Sequence, residues 1–371
     1  MSAEIQTFRK ATAGYESWLA QRIPIVAGDL QEKHHLMKAG VFPFLRATFY
    51  RWAQLWPTLY SHGLDSPETP EVLAVGDLHL ENFGTWRDAE ARLAWGINDF
   101  DEACRMPYSI DLVRLATSAL IAAEAGHLKI DRVDICTQIL KGYREGLVSG
   151  GMPFVLGEKH GWLLDLVRPA RPVNFWGKML SLKPFDGELP KSAATLVKGV
   201  LPERGLPCGV SHRSAGLGSR GRRRFVAVAE YAGGHICREV KELAPSAWWW
   251  ARQATKVLDG DAERIRFQRV LDVAVRVPDP FERAKSGWMV RRLAPDCTKI
   301  DFAAVPQVKE KDDLMYAMGW ETANIHLGSK RQKAILRDLD QRPKDWLHDA
   351  AVLMRELTHA DWVEWCEKGS G

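Results

Sequence analysis

Apolar residues recur at helical spacing through the first 60 residues of the chain. Phe8, Tyr15, Trp18 and Leu19 fall on one face of a predicted helix, and a second apolar stripe covers residues 44–55. The same period predicts helices at about 110–125, 131–147, 159–168, 190–200 and 262–274, and a helical tail from residue 309 that contains His326. Both ends of the chain are therefore predicted to be helical.

Five short segments have the apolar runs or the alternation that is typical of strands. They cover residues 72–75, 92–97, 224–230, 235–242 and 287–293. Ala232-Gly233-Gly234 separates the third from the fourth and predicts a hairpin turn. Strands among many helices, with no regular β-α repeat, favour an α+β fold.

Composition excludes several classes of protein. Of the 371 residues, 46% are hydrophobic and 26% are charged, and the net charge of +4 is too small to indicate a nucleic-acid partner. Six scattered cysteines without a C-x-x-C pair favour reduced thiols over disulfides or a zinc site. The most apolar helical stretch, at 112–125, is too short to span a bilayer, and no signal peptide is evident. We therefore expect a cytoplasmic protein without a membrane span.

The first motif that carries chemistry follows the first predicted strand and reads Gly-Asp-Leu-His-Leu-Glu-Asn over residues 76–82. In phosphotransferases an Asp orients or deprotonates the acceptor hydroxyl, and an Asn five residues later reaches a metal from the same loop. We predict Asp77 as the catalytic residue and Asn82 as a metal ligand. A simple turn is the structural alternative, since Gly-Asp before a polar loop is common.

The second motif, Ile-Asn-Asp-Phe-Asp over residues 97–101, follows the second predicted strand. Asp99 and Asp101 are predicted metal ligands, because carboxylates crowded in this way are costly without a cation. A solvated acidic turn is the alternative. Asp99 lies 17 positions beyond Asn82, a length suited to a hairpin, which would bring the two motifs together. Asp111, at the start of the next helix, is predicted to support the structure.

The third motif is a glycine-rich loop over residues 216–221. A strand follows it, which favours a loop folded over nucleotide phosphates rather than a dinucleotide-binding turn. Lys241, at the end of the returning strand, is predicted to contact phosphates, with a solvated edge lysine as the alternative. Glu263 on the next predicted helix is a candidate ion-pair partner for Lys241, and Glu242 competes for that role. The other predicted nucleotide contacts are Gly216, Gly218, Ser219 and Gly221.

These motifs, with Pro-Tyr-Ser-Ile-Asp-Leu-Val-Arg-Leu at 107–115 and Val-Lys-Glu at 240–242, resemble a bacterial family known only as a domain of unknown function, DUF2252. More distantly they resemble the aminoglycoside phosphotransferase and choline kinase branch of the protein-kinase-like superfamily. This second resemblance implies ATP and Mg²⁺ as cofactors, with Asp77 as the catalytic residue, Asn82 and Asp99 as metal ligands and Lys241 as the phosphate-binding lysine. The branch usually has His where Val75 stands here.

The order of the motifs is reversed with respect to that branch, because the glycine loop and Lys241 come last. A circularly permuted, two-lobed kinase-like fold accounts for the order. Residues 1–205 would form the catalytic lobe and 206–300 the nucleotide-binding lobe. Residues 301–371, with His326, would return to pack beneath the catalytic loop.

The function predicted from the sequence is transfer of phosphate from ATP to a hydroxyl of an unidentified small molecule or protein. A nucleotide-binding pseudokinase and a nucleotidyltransferase are alternatives. A metal-dependent phosphoesterase is a further alternative, since Asp77-Leu78-His79 resembles the start of such a site. It is less well supported because no Gly-Asn-His element follows Asp99.

Overall fold

The structure, a computed structural model, describes residues 6–126, 132–167, 169–252, 264–300 and 308–367. The amino-terminal part is helical, as predicted. It consists of α1 (Phe8–Ala20), α2 (Ala27–Leu36), α3 (Val41–Ala47), α4 (Phe49–Leu55) and α5 (Pro57–Ser61). The apolar faces of α1, α3 and α4 meet in the main core, where Phe8 and Phe44 are buried with ring centroids 4.7 Å apart.

Two small antiparallel sheets carry the first two motifs. Strand β1 (Glu71–Ala74) pairs with β4 (Cys104–Pro107), and the hairpin of β2 (Phe83–Arg87) and β3 (Leu93–Ile97) is extended by β5 (Phe154–Val155). The predicted hairpin between Asn82 and Asp99 is therefore confirmed. Helices α6 (Ser109–Glu124) and α7 (Arg132–Ser149) follow β4 and lie where they were predicted.

A five-stranded antiparallel sheet carries the third motif. Its strands are β6 (Gly209–His212), β7 (Arg224–Tyr231), β8 (Gly234–Glu242), β9 (Arg283–Lys285) and β10 (Trp288–Leu293), arranged in the order β6-β7-β8-β10-β9. The predicted hairpin is formed by β7 and β8, with Arg224 opposite Lys241. The glycine loop connects β6 to β7. Among the described residues, α12 (Ala247–Arg252) and α13 (Phe267–Val273) lie between β8 and β9.

Four helices precede this sheet: α8 (Leu156–Lys159), α9 (Gly161–Leu166), α10 (Pro172–Leu180) and α11 (Lys191–Lys198). The sequence did not predict α10. Met179 of α10 is buried with Val226, and Val197 of α11 is buried with Val240 and Val290. The sheet therefore has apolar cores of its own, separate from the main core.

The helical tail returns to the first two motifs. It consists of α14 (Val308–Leu327), α15 (Gln332–Gln341) and α16 (Trp346–Cys366). Helix α14 packs closely on α7, where a Cβ on Gly142 would collide with the carbonyl group of Tyr316. This close approach requires glycine and places His326 behind the first motif. The α+β fold class is confirmed.

Candidate active site

The backbone of the first motif is held from behind by a buried polar chain. The carboxylate of Asp111 accepts hydrogen bonds from the amides of Val75 and Gly76, each at 2.7 Å. His326 lies 2.9 Å from the same carboxylate, and its other ring nitrogen is 2.8 Å from the Tyr143 hydroxyl. Asp111 is therefore a structural support, as predicted, and α14 contributes to holding the loop.

Gly76 makes the sharp turn that presents Asp77. Its φ of +88° is in the left-handed region, and a Cβ there would lie 2.9 Å from the Glu102 carbonyl oxygen. Only glycine fits without displacing the second motif. The turn therefore brings the backbones of the two acidic motifs into direct contact.

Asp77 is paired with Arg114, which is fully buried on α6. Arg114 donates from Nε to Asp77 Oδ1 at 2.8 Å and also contacts it through Nη2, which in addition bonds to the Leu45 carbonyl at 2.7 Å. The Asp77 side chain is 18% exposed, and no donor among the described residues hydrogen-bonds to Oδ2. Arg114 therefore fixes one carboxylate oxygen while the other faces the cleft.

Burial raises the pKa of Asp77 to about 7, although Arg114 opposes the rise. The nearby carboxylates of Glu102 and Asp99 add to it. A carboxyl group with a pKa near neutrality can both hold and release a proton in the physiological range. This property distinguishes Asp77 from an ordinary salt-bridged aspartate, whose pKa falls.

The rest of the first motif folds as a single 3₁₀ turn that fixes Asn82. The Asn82 side-chain oxygen accepts from the His79 amide at 2.7 Å, and the His79 ring accepts from the Glu81 amide at 3.2 Å. The Asn82 carbonyl in turn accepts from the Asn98 amide at 3.0 Å, at the end of β3. Asn82 is therefore held beside the second motif, and His79 orients the loop.

The second motif meets Lys241 although 142 residues separate them in the sequence. Lys241 is 1% exposed, and its ammonium group lies 2.5 Å from Asp101 Oδ1 and 3.4 Å from Asp99 Oδ1. The lysine therefore supplies the cation that the crowded carboxylates require. Asp101 is a direct partner of Lys241, and Asp99, 38% exposed, is the more open of the two carboxylates.

The two carboxylates differ in their pKa values. Burial by itself raises the pKa of Asp99, but Lys241 and Arg291 outweigh it and hold the pKa well below its usual range. Burial also raises the pKa of Asp101. The negative charge of Asp99 raises it further, and the positive charge of Lys241 opposes the rise. The lowered pKa of Asp99 keeps its carboxylate ionised at neutral pH, as a metal ligand must be.

Glu102 ties the second motif to the segment around the glycine loop. One of its oxygens accepts from Arg222 at 2.8 Å, and the other accepts from the Ala247 amide at 2.6 Å. Arg222 follows the glycine loop and is 3% exposed. The acidic motif and the loop are thus joined by a buried ion pair.

The glycine loop lies directly over Asp77. A Cβ on Gly218 would be 3.1 Å from Asp77 Oδ2, and Gly216 and Gly221 have φ values of +73° and +98°. Ser219 accepts a hydrogen bond from Arg224 at 2.7 Å. A Cβ at Gly218 would also lie 3.0 Å from the Arg46 carbonyl oxygen, so a side chain there would crowd both neighbours.

Helix α2 holds the loop in this closed position. The buried Lys33 donates to the Gly218 carbonyl at 3.1 Å, and the Val26 amide donates to the Gly221 carbonyl at 2.8 Å. Burial and the nearby Arg222 lower the pKa of Lys33 to about 8. The amino-terminal helices are therefore part of the site.

A basic cluster lies on the sheet beside Asp99. The fully buried Glu239 accepts from Arg224 at 3.2 Å and from Arg291 at 2.9 Å, and it also pairs with Arg213. Three guanidinium groups around one carboxylate leave a net positive charge. This charge faces a cavity that Asp99 and Lys299 also line.

Two cavities meet at Asp99, Gly216 and Lys299. The first, of about 60 Å³, contains Asp77 and Asn82 under the glycine loop. The second, of about 220 Å³, contains the basic cluster and the segment after β10, from Leu293 to Thr298. Pockets that enclose small ligands usually have about 300–1,000 Å³. The cleft is therefore closed to a nucleotide-sized ligand in this conformation.

The structure brings together nine of the ten residues predicted for the site. Asp77, Asn82, Asp99, Asp101, Gly216, Gly218 and Ser219 line the first cavity, Gly221 ends the glycine loop, and Lys241 contacts Asp99. Glu263 lies outside the described residues. Glu242, the competing partner for Lys241, is paired instead with Arg223 at 2.8 Å.

Sequence reasoning missed Arg114, Lys33 and Glu239. Arg114 had a signal, because it is a charged residue three positions after Asp111 on an otherwise apolar helix, and residues at that spacing lie close together on one face. No sequence signal pointed to Lys33 or Glu239, since their partners lie far away in the sequence. Among the described residues, no three His, Cys, Asp or Glu side chains are grouped as ligands for one metal ion.

The chain combines an α+β fold with a cleft that contains two acidic motifs, a glycine loop and a buried lysine. Residues 26–152 and 209–368 match the model of the DUF2252 family, an uncharacterized protein conserved in bacteria, and the chain belongs to that family. No curated protein and no solved structure matches the chain. In the described parts of the chain, no helix is long and apolar enough to cross a membrane.

Proposed function

We propose that this protein is an ATP- and Mg²⁺-dependent phosphotransferase that acts on a hydroxyl group. The observation that carries the proposal is the convergence of Asp77, Asp99 and Lys241 under a glycine loop, from segments 142 residues apart. A poised carboxylate, an ionised carboxylate and a buried lysine beside backbone amides are the parts that phosphoryl transfer requires.

Asp77 is proposed to orient the acceptor hydroxyl and take its proton. Its Oδ2 faces the cavity and its pKa is raised to about 7, mainly by burial. Arg114 holds Oδ1, so the carboxylate cannot rotate away from the acceptor. This arrangement supplies both the geometry and the basicity of a general base.

Lys241 and the basic cluster are proposed to bind the nucleotide phosphates. The second cavity is lined by Arg213, Arg224, Arg291 and Lys299, and it opens on Asp99. Guanidinium groups suit phosphate oxygens because they can donate two parallel hydrogen bonds. The acceptor would then enter from the first cavity, on the Asp77 side.

Asp99 and Asn82 fit Mg²⁺, because they offer a carboxylate and an amide oxygen at one end of the β2–β3 hairpin. Magnesium sites of this type use one or two protein oxygens together with substrate phosphates. When bound, the ion would neutralise charge on the phosphates. Asp101 would serve by holding Lys241 in place.

We further propose that the fold is kinase-like and circularly permuted. In support, the five-stranded sheet of 209–293 carries the glycine loop and Lys241 and comes after the acidic motifs in the chain. Residues 1–205 and 301–371 would then form one lobe, because α16 contacts α6 and α14 contacts α7. Binding of a nucleotide would require the glycine loop to move away from Asp77.

Thermal shift with and without magnesium tests the proposal. ATP with Mg²⁺ should raise the melting temperature of the full chain, with about 2.7 kcal/mol of stabilisation at 100 times Kd. ATP with a chelator should raise the melting temperature less, and Mg²⁺ alone should raise it only slightly. A full response to metal alone would favour a phosphoesterase instead.

Screening for an acceptor then separates enzyme from pseudoenzyme. A library of hydroxyl compounds should contain one that accelerates ADP release. Release of pyrophosphate would indicate nucleotidyl transfer. Tight ATP binding with neither product would favour the pseudokinase.

A further inference from the structure

A third cavity, of about 350 Å³, lies against α14, and it shares no lining residue with the two cavities of the candidate active site. One wall is a stripe of α14 that contains Asp313, Tyr316 and Trp320. The opposite wall contains Phe154 of β5 and Trp162 of α9. The lining thus has four aromatic rings and one carboxylate, together with His160, Met152 and Ala317.

The rings are held in place by their own contacts. Trp320 donates from its indole nitrogen to the Met152 carbonyl at 3.1 Å, and the Tyr316 hydroxyl donates to Glu145 at 2.5 Å. Phe154 packs edge-on against Trp95 with centroids 5.2 Å apart. The aromatic walls therefore need little rearrangement to receive a ligand.

The carboxylate of Asp313 lines the cavity. In the described part of the chain, no cation or hydrogen-bond donor contacts it. Lys141 lies 5.8 Å from the Tyr316 ring centroid but does not line the cavity. His160, which does line it, has its pKa lowered by burial and by Lys159, so it is neutral at pH 7.

We propose that this cavity binds a small organic ammonium ion. Aromatic faces attract such a cation through their quadrupoles, and one carboxylate supplies the opposite charge. A volume of about 350 Å³ is that of a pocket for a small molecule. An anion would face the charge of Asp313, and an uncharged apolar ligand would leave that carboxylate without a partner.

Calorimetric titration of the full chain with benzyltrimethylammonium chloride tests the proposal, with benzyl alcohol as the uncharged comparison. The cation should bind with a measurable Kd and benzyl alcohol at least about tenfold more weakly. Equal affinity for the two compounds, or no saturable binding of the cation below about 10 mM, overturns the proposal.

Two neighbouring aspartates provide a matched pair of variants. Asp313→Asn removes the charge inside the cavity and should weaken binding of the cation about tenfold, whereas Asp312→Asn, outside the lining, should leave it unchanged. Trp162→Leu removes one ring without touching the charge and should weaken binding too. If the Asp313 and Asp312 variants bind the cation with the same affinity, and Trp162→Leu binds it as tightly as the wild type, the cation binds elsewhere.

Discussion

At the scale of single residues, the site depends on charges buried in pairs. Arg114 and Asp111 occupy consecutive turns of α6 and are both fully buried. Asp111 supports the loop backbone, and Arg114 fixes the carboxylate that the loop presents. A buried charge is tolerated only where partners satisfy it, so each is fixed in position by its contacts.

Asp77→Asn should lower turnover by about 10²- to 10⁴-fold, because it removes the proposed base while keeping the side-chain shape. Nucleotide affinity should change little, since Lys241 and the arginine cluster would make those contacts. Steady-state ADP release and ATP titration measure the two effects separately. Until an acceptor is found, slow ATP hydrolysis serves as the readout. A turnover equal to that of the wild type would show that Asp77 is not the base.

The same substitution leaves Arg114 without its carboxylate, so a loss of stability is expected too. Asp361→Asn is the matched control, because Asp361 pairs with the buried Arg51 at 2.8 Å outside all of the cavities described above. Breaking a buried pair costs about 3–5 kcal/mol. Both variants should therefore melt earlier, but only Asp77→Asn should lose turnover.

The pH profile of kcat/KM should rise through about pH 7. As the proposed base, Asp77 would act only when ionised, and burial raises its pKa to about 7. Rates measured from pH 5 to 9 should show this limb in the wild type and lack it in Asp77→Asn. A limb near pH 4 would mean that the carboxyl group is not perturbed in the working enzyme.

Asp99→Ala should abolish the magnesium dependence of ATP binding, because it removes the open, ionised carboxylate. Repulsion among crowded carboxylates, taken by itself, would leave the melting temperature of this variant level or higher. In the structure Lys241 lies 3.4 Å from Asp99, so we expect a slightly lower melting temperature instead. Differential scanning fluorimetry measures both effects. Unchanged Mg²⁺-ATP binding together with a large loss of apo stability would make Asp99 purely structural.

At the scale of secondary-structure elements, α14 is fixed to the strand that leads into the second motif. The buried Glu321 accepts from the Ile97 amide at 3.1 Å and from Asn324 at 2.7 Å. Burial raises the pKa of Glu321 to about 7, against the opposing effect of the Asn324 and Ile97 hydrogen bonds. Together with His326, this contact makes α14 the support of both acidic motifs.

Glu321 should make the protein less stable as pH rises from about 4.5 to 7. Its pKa is higher in the folded state than the ordinary 4.5, so the folded protein holds the proton more tightly in that window. The full effect is on the order of 3 kcal/mol. Urea unfolding at pH 5 and 8 should show a smaller decline in Glu321→Gln than in the wild type. As a control, the variant of the exposed Glu90, Glu90→Gln, should lose as much stability between pH 5 and 8 as the wild type. If Glu321→Gln loses the same amount, Glu321 does not couple stability to pH.

At the scale of the whole molecule, residues 153–208 lie outside the segments that match the family model, yet α10 and α11 within them pack on the five-stranded sheet. Met179 of α10 is buried against Val226 and Cys237, whereas its neighbour Leu180 is 55% exposed. This segment therefore helps to stabilise the sheet that carries Lys241, although it is not part of the matched family pattern.

Met179→Ala should cost about 2–5 kcal/mol, because it opens a space in the core between α10 and the sheet. Leu180→Ala, one residue further on, should stay within about 0.5 kcal/mol of the wild type. Urea unfolding of the two variants measures the difference. Equal stabilities would show that α10 is not packed on the sheet as described.

The sequence by itself determined the local features. Helical spacing predicted most of the helices, alternation predicted the β7–β8 hairpin, and motif chemistry selected Asp77, Asn82 and Asp99. It also predicted that the glycine loop and Lys241 would meet the acidic motifs. The helices and the hairpin depend on neighbouring residues, so the period and the spacing are enough to find them. The meeting of the glycine loop and Lys241 with the acidic motifs was expected from the resemblance to kinase-like proteins.

Only the tertiary structure decided which charges meet. Lys241 pairs with Asp101 rather than Glu242, Arg114 fixes Asp77, and Lys33 holds the glycine loop. These contacts depend on burial and join segments that lie far apart in the chain. The pKa of Asp77 rises while that of Asp99 falls, although both are aspartates after short strands. The difference comes from burial and from the cations around each carboxylate, which are fixed only when the chain folds.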